Sequence, residues 1–474
     1  MTDRMQVFSR DELSLIHDAS MDILSSTGLV FHSEDATDVF KKHGYKTDGF
    51  KVHITEKDVL RALETVPSLF RVYAPNPEKD VLIGENHFVF LPTTGSPNIS
   101  TADGERRPAL LSDYHTCVKM VQTSEQLDMN GWIMVQPNDL SADTFHLDLL
   151  FANLTMCDKG FIGPSSSKES TIDAIEMAAM FRGGIEQLRE KPIMTTIINA
   201  ASPLRYSREE SESIITMSEA GQPLIITDLV MAGSSGPISL PGLLALANAE
   251  ILGGVVLSQL VRPGEPIVFG SVSAPADMRT ITSAVGAPEA VVLASATVQI
   301  AKYYNLPCRT GGMLTNAHIP DSQAAAEGVL IMSTAVRNGA NFINHSCGQI
   351  GSYLSMNFEK WIIDEEVCAM IRRVLEGMRI SVESIDVETI KSVGCGGNYL
   401  THATTFEHCR DLYQPKVFTR DYYNTWQKKG SKTAAQVAGE LLKKRLESYR
   451  KPDVNPDLEK DLAAYVDRRK REIG

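Results

Sequence analysis

The sequence predicts an α/β fold, a (β/α)8 TIM barrel with an N-terminal helical cap and a C-terminal helical extension. Three observations carry that expectation. Eight short apolar runs recur through the middle of the chain; each ends in Gly, Ser, Thr, Asn or Pro and is followed by a helical pattern. The runs are nearly continuous in apolar residues, as strands of a parallel sheet covered by helices are. The eight units fill roughly 290 residues, the size of such a barrel.

Residues 1–87 read as the cap. Ser9 with Glu12 three residues later forms a capping-box signature. Ile16, Ala19, Ile23 and Leu24 continue it as a helical stripe that Gly28 ends. Further helices are expected over 33–43 and 55–65, the last stopping before Pro67. This region suits packing or an oligomer surface.

Residues 88–378 hold the repeating unit. The strands are expected at 88–91, 132–136, 160–163, 193–199, 224–229, 267–271, 307–310 and 342–344. Helices are expected over 113–127, 144–156, 168–181, 209–220, 243–260, 289–304, 321–338 and 359–378. A doubly wound open sheet is the competing architecture. It calls for a Gly-rich phosphate turn after the first strand, and LPTTGSPN at 91–98 lacks the G-x-G-x-x-G spacing. Residues 379–474 form the extension, and from Ala434 onward it is charged and helical, a solvated face or a partner helix.

Composition excludes several classes. A net charge of −13 argues against nucleic acid and against an anionic membrane surface as partners. No uninterrupted apolar run approaches the ~20 residues of a bilayer span, and MTDRMQVFSRDELS offers no signal-like apolar core. Seven scattered cysteines without a C-x-x-C pair fit reduced thiols, so a cytoplasmic setting is expected, with no metal site.

In a barrel the working residues stand at the carboxyl ends of the strands. The eighth strand stops at Asn344 and His345 and opens into a loop bearing Tyr353, with Phe358 at its end. The other ends carry Thr94, Asn199, Asp228, and Arg309 with Gly311 and Gly312. No carboxylate pair, no Schiff-base lysine and no H-E-x-x-H stands among them, so hydrolysis, aldol chemistry and metal catalysis lose weight.

A neutral, polar set suits a substrate that brings its own leaving group. A methyl on a quaternary nitrogen is one, because the amine departs uncharged. Tyr353 and Phe358 could face the cation, and Asp228 could pair with it or simply cap a helix. Arg309 and the amides of Gly311 and Gly312 could receive a carboxylate; Arg309 could equally point outward. His345 either serves the site or hydrogen-bonds a neighbouring loop.

TGGMLTNAHIPDSQAAAEGVL at 310–330, GANFINHSCG at 339–348, TTGSPN at 93–98 and DGERRPALLSDY at 103–114 together resemble the trimethylamine methyltransferase (MttB-like) family. The resemblance covers most of the chain. It implies a barrel enzyme passing a methyl group to the Co(I) corrinoid of a separate partner protein, with no cobalamin held permanently. The founding members carry pyrrolysine, whereas only standard residues stand here, so the chain resembles the non-pyrrolysine branch. That branch implies a quaternary amine substrate of the betaine type: glycine betaine, proline betaine, carnitine or γ-butyrobetaine. It also implies His345 at the reacting centre and Tyr353 near the cation, with the turn around Leu314 as the pyrrolysine counterpart. Two other classes stay open: a betaine-binding protein without turnover, and a barrel lyase or isomerase using His345 as base. The capped N-terminal helices and charged tail suggest a homo-oligomer.

Overall fold

The computed structural model describes residues 6–474; residues 1–5, part of the N-terminal stretch read above, lie outside it. Seven parallel strands form the central sheet: β1 (Val89–Phe90), β2 (Phe161–Gly163), β3 (Met194–Asn199), β4 (Leu224–Asp228), β5 (Ile267–Ser271), β6 (Cys308–Gly311) and β7 (Phe342–Asn344). Their spatial order is β1-β7-β6-β5-β4-β3-β2, so the first and last of these seven strands pair, Phe342 with Val89 and Ile343 with Phe90. A sheet curls in this way when consecutive strands are joined by helices on its outer side. Each strand is buried on both faces apart from isolated positions, which is why the runs read as apolar rather than alternating.

The expected strand over 132–136 is displaced. Residues 128–130 reach across the gap between β1 and β2 instead. The Asp128 amide donates to the Phe90 carbonyl (2.9 Å), the Asn130 amide to the Gly160 carbonyl (2.7 Å), and the Ile162 amide to the Asn130 carbonyl (3.1 Å). Trp132, Met134 and Val135 are buried without forming a strand. Their apolar character comes from packing, and Gly131 lies so close to Met134 Cγ that a Cβ there would stand 2.6 Å away. The architecture is therefore a curled, parallel seven-stranded sheet with helices, bridged at its open edge by an irregular segment.

The N-terminal region contains the three expected helices, Arg10–Asp22, Glu34–Lys42 and Glu56–Leu63, and the Ser9–Glu12 capping box forms. It also contributes strands. Leu29–Phe31 pairs with Lys51–His53 and with Arg205–Tyr206 from the loop after β3, which fastens the cap to the sheet. Helix Leu240–Val261 is long and apolar enough to cross a membrane by length and composition, but it is mostly buried under that cap.

Two small sheets lie among the loops that follow the sheet strands. Asn98–Ser100 pairs with Arg106–Pro108 and with Ser355–Met356, joining the loops after β1 and β7. Met231–Ala232 pairs with Ala274–Asp277, joining the loops after β4 and β5.

The charged tail docks on the same chain. In helix Ala434–Ser448, Arg445 grips Glu365 through both carboxylate oxygens (2.7 and 2.9 Å). In helix Pro456–Ile473, Tyr465 (2.6 Å) and Arg469 (2.7 Å) converge on buried Asp173, which also accepts from His146 (2.8 Å).

Candidate active site

The site is assembled from five strand ends. At β4, Asp228 is fully buried, and its Oδ1 accepts from the hydroxyls of Ser271 (2.5 Å) and Ser273 (3.0 Å) at the end of β5. Its Oδ2 has no partner. Burial pushes the carboxyl pKa up to about 6; the two serines and Arg309 hold it from rising further.

Arg309 on β6 points inward. Gly270, its neighbour on β5, makes room, since a Cβ there would stand 2.8 Å from Arg309 Cβ and 2.9 Å from its Cδ. The guanidinium donates to Thr227 Oγ1 (3.2 Å), and its Nε is buried without a partner. Burial lowers its pKa to about 10, against the attraction of Tyr353 and Asp228. It remains a cation at any physiological pH.

His345, just beyond β7, is held by its backbone. The amides of Gly312 and Met313 donate to the carbonyls of Asn344 (2.7 Å) and His345 (2.8 Å), and the His345 amide donates to Pro92 (3.2 Å). The residue is left-handed, φ 57°. Its Nδ1 accepts from the Thr94 amide (3.3 Å), so the ring proton sits on Nε2. Nε2 lies 3.5 Å from Asn344 Nδ2, which is itself a donor, so the Nε2 proton finds no acceptor there. Burial, reinforced by Arg309, drives the imidazole pKa well below its usual value, and the ring is neutral.

Tyr353 packs edge-on against His345, ring centroids 5.0 Å apart. Its other side rests on a small apolar cluster with Leu314, Val285 and Ile331. Its hydroxyl is buried and unpartnered, and burial raises its pKa to about 12 although Arg309 opposes this. Thr94 Oγ1 and Asn344 Oδ1 are likewise buried without protein partners. Buried polar atoms are almost always satisfied. Several such atoms stand open at these strand ends.

The structure thus brings together His345, Tyr353, Asp228, Arg309 and Thr94. Asn199 stands exposed at the end of β3. Three expected residues serve other ends. Phe358 opens helix Phe358–Glu376 and packs against the main hydrophobic core. The Gly312 amide is committed to Asn344, and Gly311 is covered by Leu314, whose Cδ1 would lie 2.3 Å from an added Cβ. The Gly312 amide is therefore not offered to a carboxylate. Leu314 itself turns into the apolar cluster. Glu250, on the helix after β4, escaped the sequence reading. It is buried, accepts from Ser202 Oγ and the Leu204 amide (both 2.7 Å), and burial with the nearby Asp228 raises its pKa to about 7. An acid inside the apolar run LLALANAEILGG was its only signal.

The family model for trimethylamine methyltransferase (MTTB) matches residues 1–474. The chain belongs to that family. It is 35% identical to the glycine betaine methyltransferase of Desulfitobacterium hafniense (strain Y51), over 99% of this chain and 98% of that one. It is 32% identical to the proline betaine:corrinoid methyltransferase of Eubacterium limosum, over 88% and 87%. Among solved structures, the Methanosarcina barkeri monomethylamine methyltransferase (MtmB) superposes with a TM-score of 0.54 at 10% identity, covering 95% of this chain and 90% of that one. At that identity the likeness speaks for the fold alone.

Proposed function

We propose that this MttB-family chain is a methyltransferase that removes one methyl group from a zwitterionic quaternary amine, a betaine, and delivers it to a corrinoid on a separate protein. The observation that carries this reading is the buried pair Asp228 and Arg309. Each keeps an unpartnered atom, Oδ2 and Nε, in an interior that also holds a neutral histidine and a tyrosine ring. Unlike charges buried with open valences fit a ligand that bears both signs. The ammonium head lies toward Asp228 and the Tyr353 ring, and the carboxylate toward Arg309. The names of the two betaine relatives support the same substrate class.

The corrinoid, borne by its own protein, supplies the two-electron nucleophile that accepts the methyl group. This chain's residues do the rest. The N–CH3 bond breaks with both electrons staying on nitrogen, so the product leaves as a neutral tertiary amine and no proton donor is required. Neutral His345 suits that chemistry, because a protonated ring would add to the repulsion that the ammonium already meets from Arg309. Its Nε2–H is a fixed donor that can orient the substrate.

The reading is tested by incubating purified protein and reduced cobalamin with glycine betaine, proline betaine, carnitine and γ-butyrobetaine, and measuring the demethylated tertiary amine by mass spectrometry. One of them should lose a single methyl group; no product from any of the four would overturn the proposal. Tyr353→Ala should weaken substrate affinity by about 1–2 kcal/mol, the value of a desolvated cation on an aromatic face, with the larger change in KM.

A further inference from the structure

We propose that Asn316 is a positioning residue for the methyl transfer: by tying the loops after β5, β6 and β7 together, it holds the turn that presents the Tyr353 ring to the substrate. The inference rests on the reading of Tyr353 as a wall for the ammonium head. Asn316 lies in the loop after β6, and its side chain reaches across to the other two. Its Oδ1 accepts from the Gly286 amide (2.8 Å), and its Nδ2 donates to the Ser283 carbonyl (2.9 Å), both in the loop after β5. The second Nδ2 proton goes to the Ser352 hydroxyl in the loop after β7, and that hydroxyl donates in turn to the same Ser283 carbonyl (3.0 Å). Asn316 is itself fixed from helix Ser322–Asn338, where Glu327 Oε2 accepts from its amide (2.9 Å) and from the Thr315 hydroxyl (2.6 Å). Gly286 leaves the space for that carboxylate, since a Cβ there would stand 2.2 Å from Glu327 Oε2.

The turn needs such a hold. Gly351, Ser352 and Tyr353 are left-handed in succession, with φ of 60°, 53° and 72°. Glycine adopts that region freely, whereas a serine and a tyrosine stay there only where the surrounding structure over-determines them. The amides of Gly351 and Ser352 donate to the carbonyls of Ala317 (2.8 Å) and Thr315 (3.1 Å), so the backbone on either side of Asn316 grips the turn. The Asn316 side chain and the Ser352 hydroxyl add the anchor to the loop after β5. Tyr353 follows at once, its ring edge-on to His345 and packed on the apolar cluster to which Val285 and Leu314 bring the loops after β5 and β6. A ring fixed in this way meets a cation without being ordered at the moment of binding, and the attraction weakens once the ring face shifts away.

Two variants of the full-length protein test this, assayed with reduced cobalamin and the four betaines named above. Asn316→Ala removes the junction; Asn316→Asp keeps an acceptor for Gly286 but offers no donor to Ser283 and Ser352. Both should raise KM about 10-fold, with kcat changed far less, the size expected when a cation loses its aromatic face. In the Tyr353→Ala background the same exchanges should move KM by less than about 2-fold, because the ring they position is gone. Hydrogen exchange followed by mass spectrometry reads the hold without substrate. Amides of residues 349–354 should exchange several-fold faster in Asn316→Ala, while those of helix Ala434–Ser448 keep the wild-type rate. If either variant fails to fold, Ser352→Ala, which removes one acceptor and one donor of the same junction, should shift KM and exchange in the same direction by less. Unchanged exchange at 349–354 would overturn the proposal. So would faster exchange with KM unaltered, or a KM effect that survives undiminished without the Tyr353 ring. A wild type that demethylates none of the four betaines would sink the functional reading and the substrate role of Asn316 with it, a result that the unsubstituted protein alone reports.

Discussion

Exchanging Asp228 for asparagine should reduce kcat/KM for a betaine by about 100-fold or more, near 3 kcal/mol of transition-state stabilisation. The change keeps the shape and leaves an oxygen for the Ser271 and Ser273 hydroxyls, so it removes the charge and little else. Removing one partner of a buried charge pair typically costs 2–5 kcal/mol, much of it from stranding the other charge; here the stranded charge is the substrate's ammonium. The pH dependence fixes the assignment. With its pKa raised to about 6, Asp228 is ionised above that pH and protonated below it. Substrate affinity in the wild type should therefore improve as pH rises from 5 to 7, and the inflection should vanish in Asp228→Asn. Stability should move the opposite way. A carboxyl whose folded pKa lies above its unfolded value destabilises the ligand-free fold progressively as pH rises from about 4 to 6. The variant escapes that cost, so at pH 7 its melting temperature without ligand should equal or exceed the wild type's. Glu250 titrates in the same neighbourhood and feels Asp228; with that charge gone, its own pKa should fall. An unchanged affinity-versus-pH curve in the variant would show that another group is responsible.

The sequence made the strands legible wherever burial on both faces and extended geometry coincide. Ile193-Met194 through Asn199 and Ile267 through Ser271 are such cases, and both were read to within a residue. The reading slipped at 128–136 because hydrophobicity reports burial, not extension. The longest apolar run there packs as a loop, while Asp128, Met129 and Asn130 make the sheet contacts through backbone hydrogen bonds that no side chain advertises. The site was legible as a list of strand ends and not as a geometry. Whether Arg309 faces inward is decided by a glycine 39 residues earlier on the neighbouring strand, and register between β5 and β6 is a tertiary fact. The setting of Gly311 and Gly312 is hidden in the sequence for a related reason. A glycine marks a close approach, and here what approaches is Leu314 and the backbone at Asn344 and Ser346.

The turn that carries His345 rests on one buried ion pair, and breaking it should be the most damaging single change to stability. Lys360 and Asp364, both about 1% exposed, meet at 2.6 Å one helical turn apart. Lys360 Nζ also donates to the Met313 carbonyl (3.1 Å), and Asp364 Oδ2 accepts from the Gly348 amide (2.9 Å). The pair thus clamps the loop after β6 to the turn after β7, the two segments whose backbones fix His345. Lys360→Met fills a similar volume but leaves a buried carboxylate without its cation, a loss of about 3–5 kcal/mol. The sign of its pH dependence follows from Asp364. Burial already raises that pKa to about 6 with the lysine present, and removing the lysine raises it further. The variant's deficit should therefore be smallest below pH 6 and grow as pH rises above it, because the folded variant must either hold an unpaired charge or keep a proton the unfolded chain gives up. Chemical denaturation at pH 5.5 and pH 8 measures the difference. Lys360→Met combined with Asp364→Leu should recover much of the loss, since an apolar pair of matching volume replaces the ion pair at little cost. It should not recover full activity, because Gly348 then loses its acceptor and the His345 turn is no longer held at both ends. A double variant no more stable than Lys360→Met would mean that the clamp, rather than the stranded charge, carries the stability.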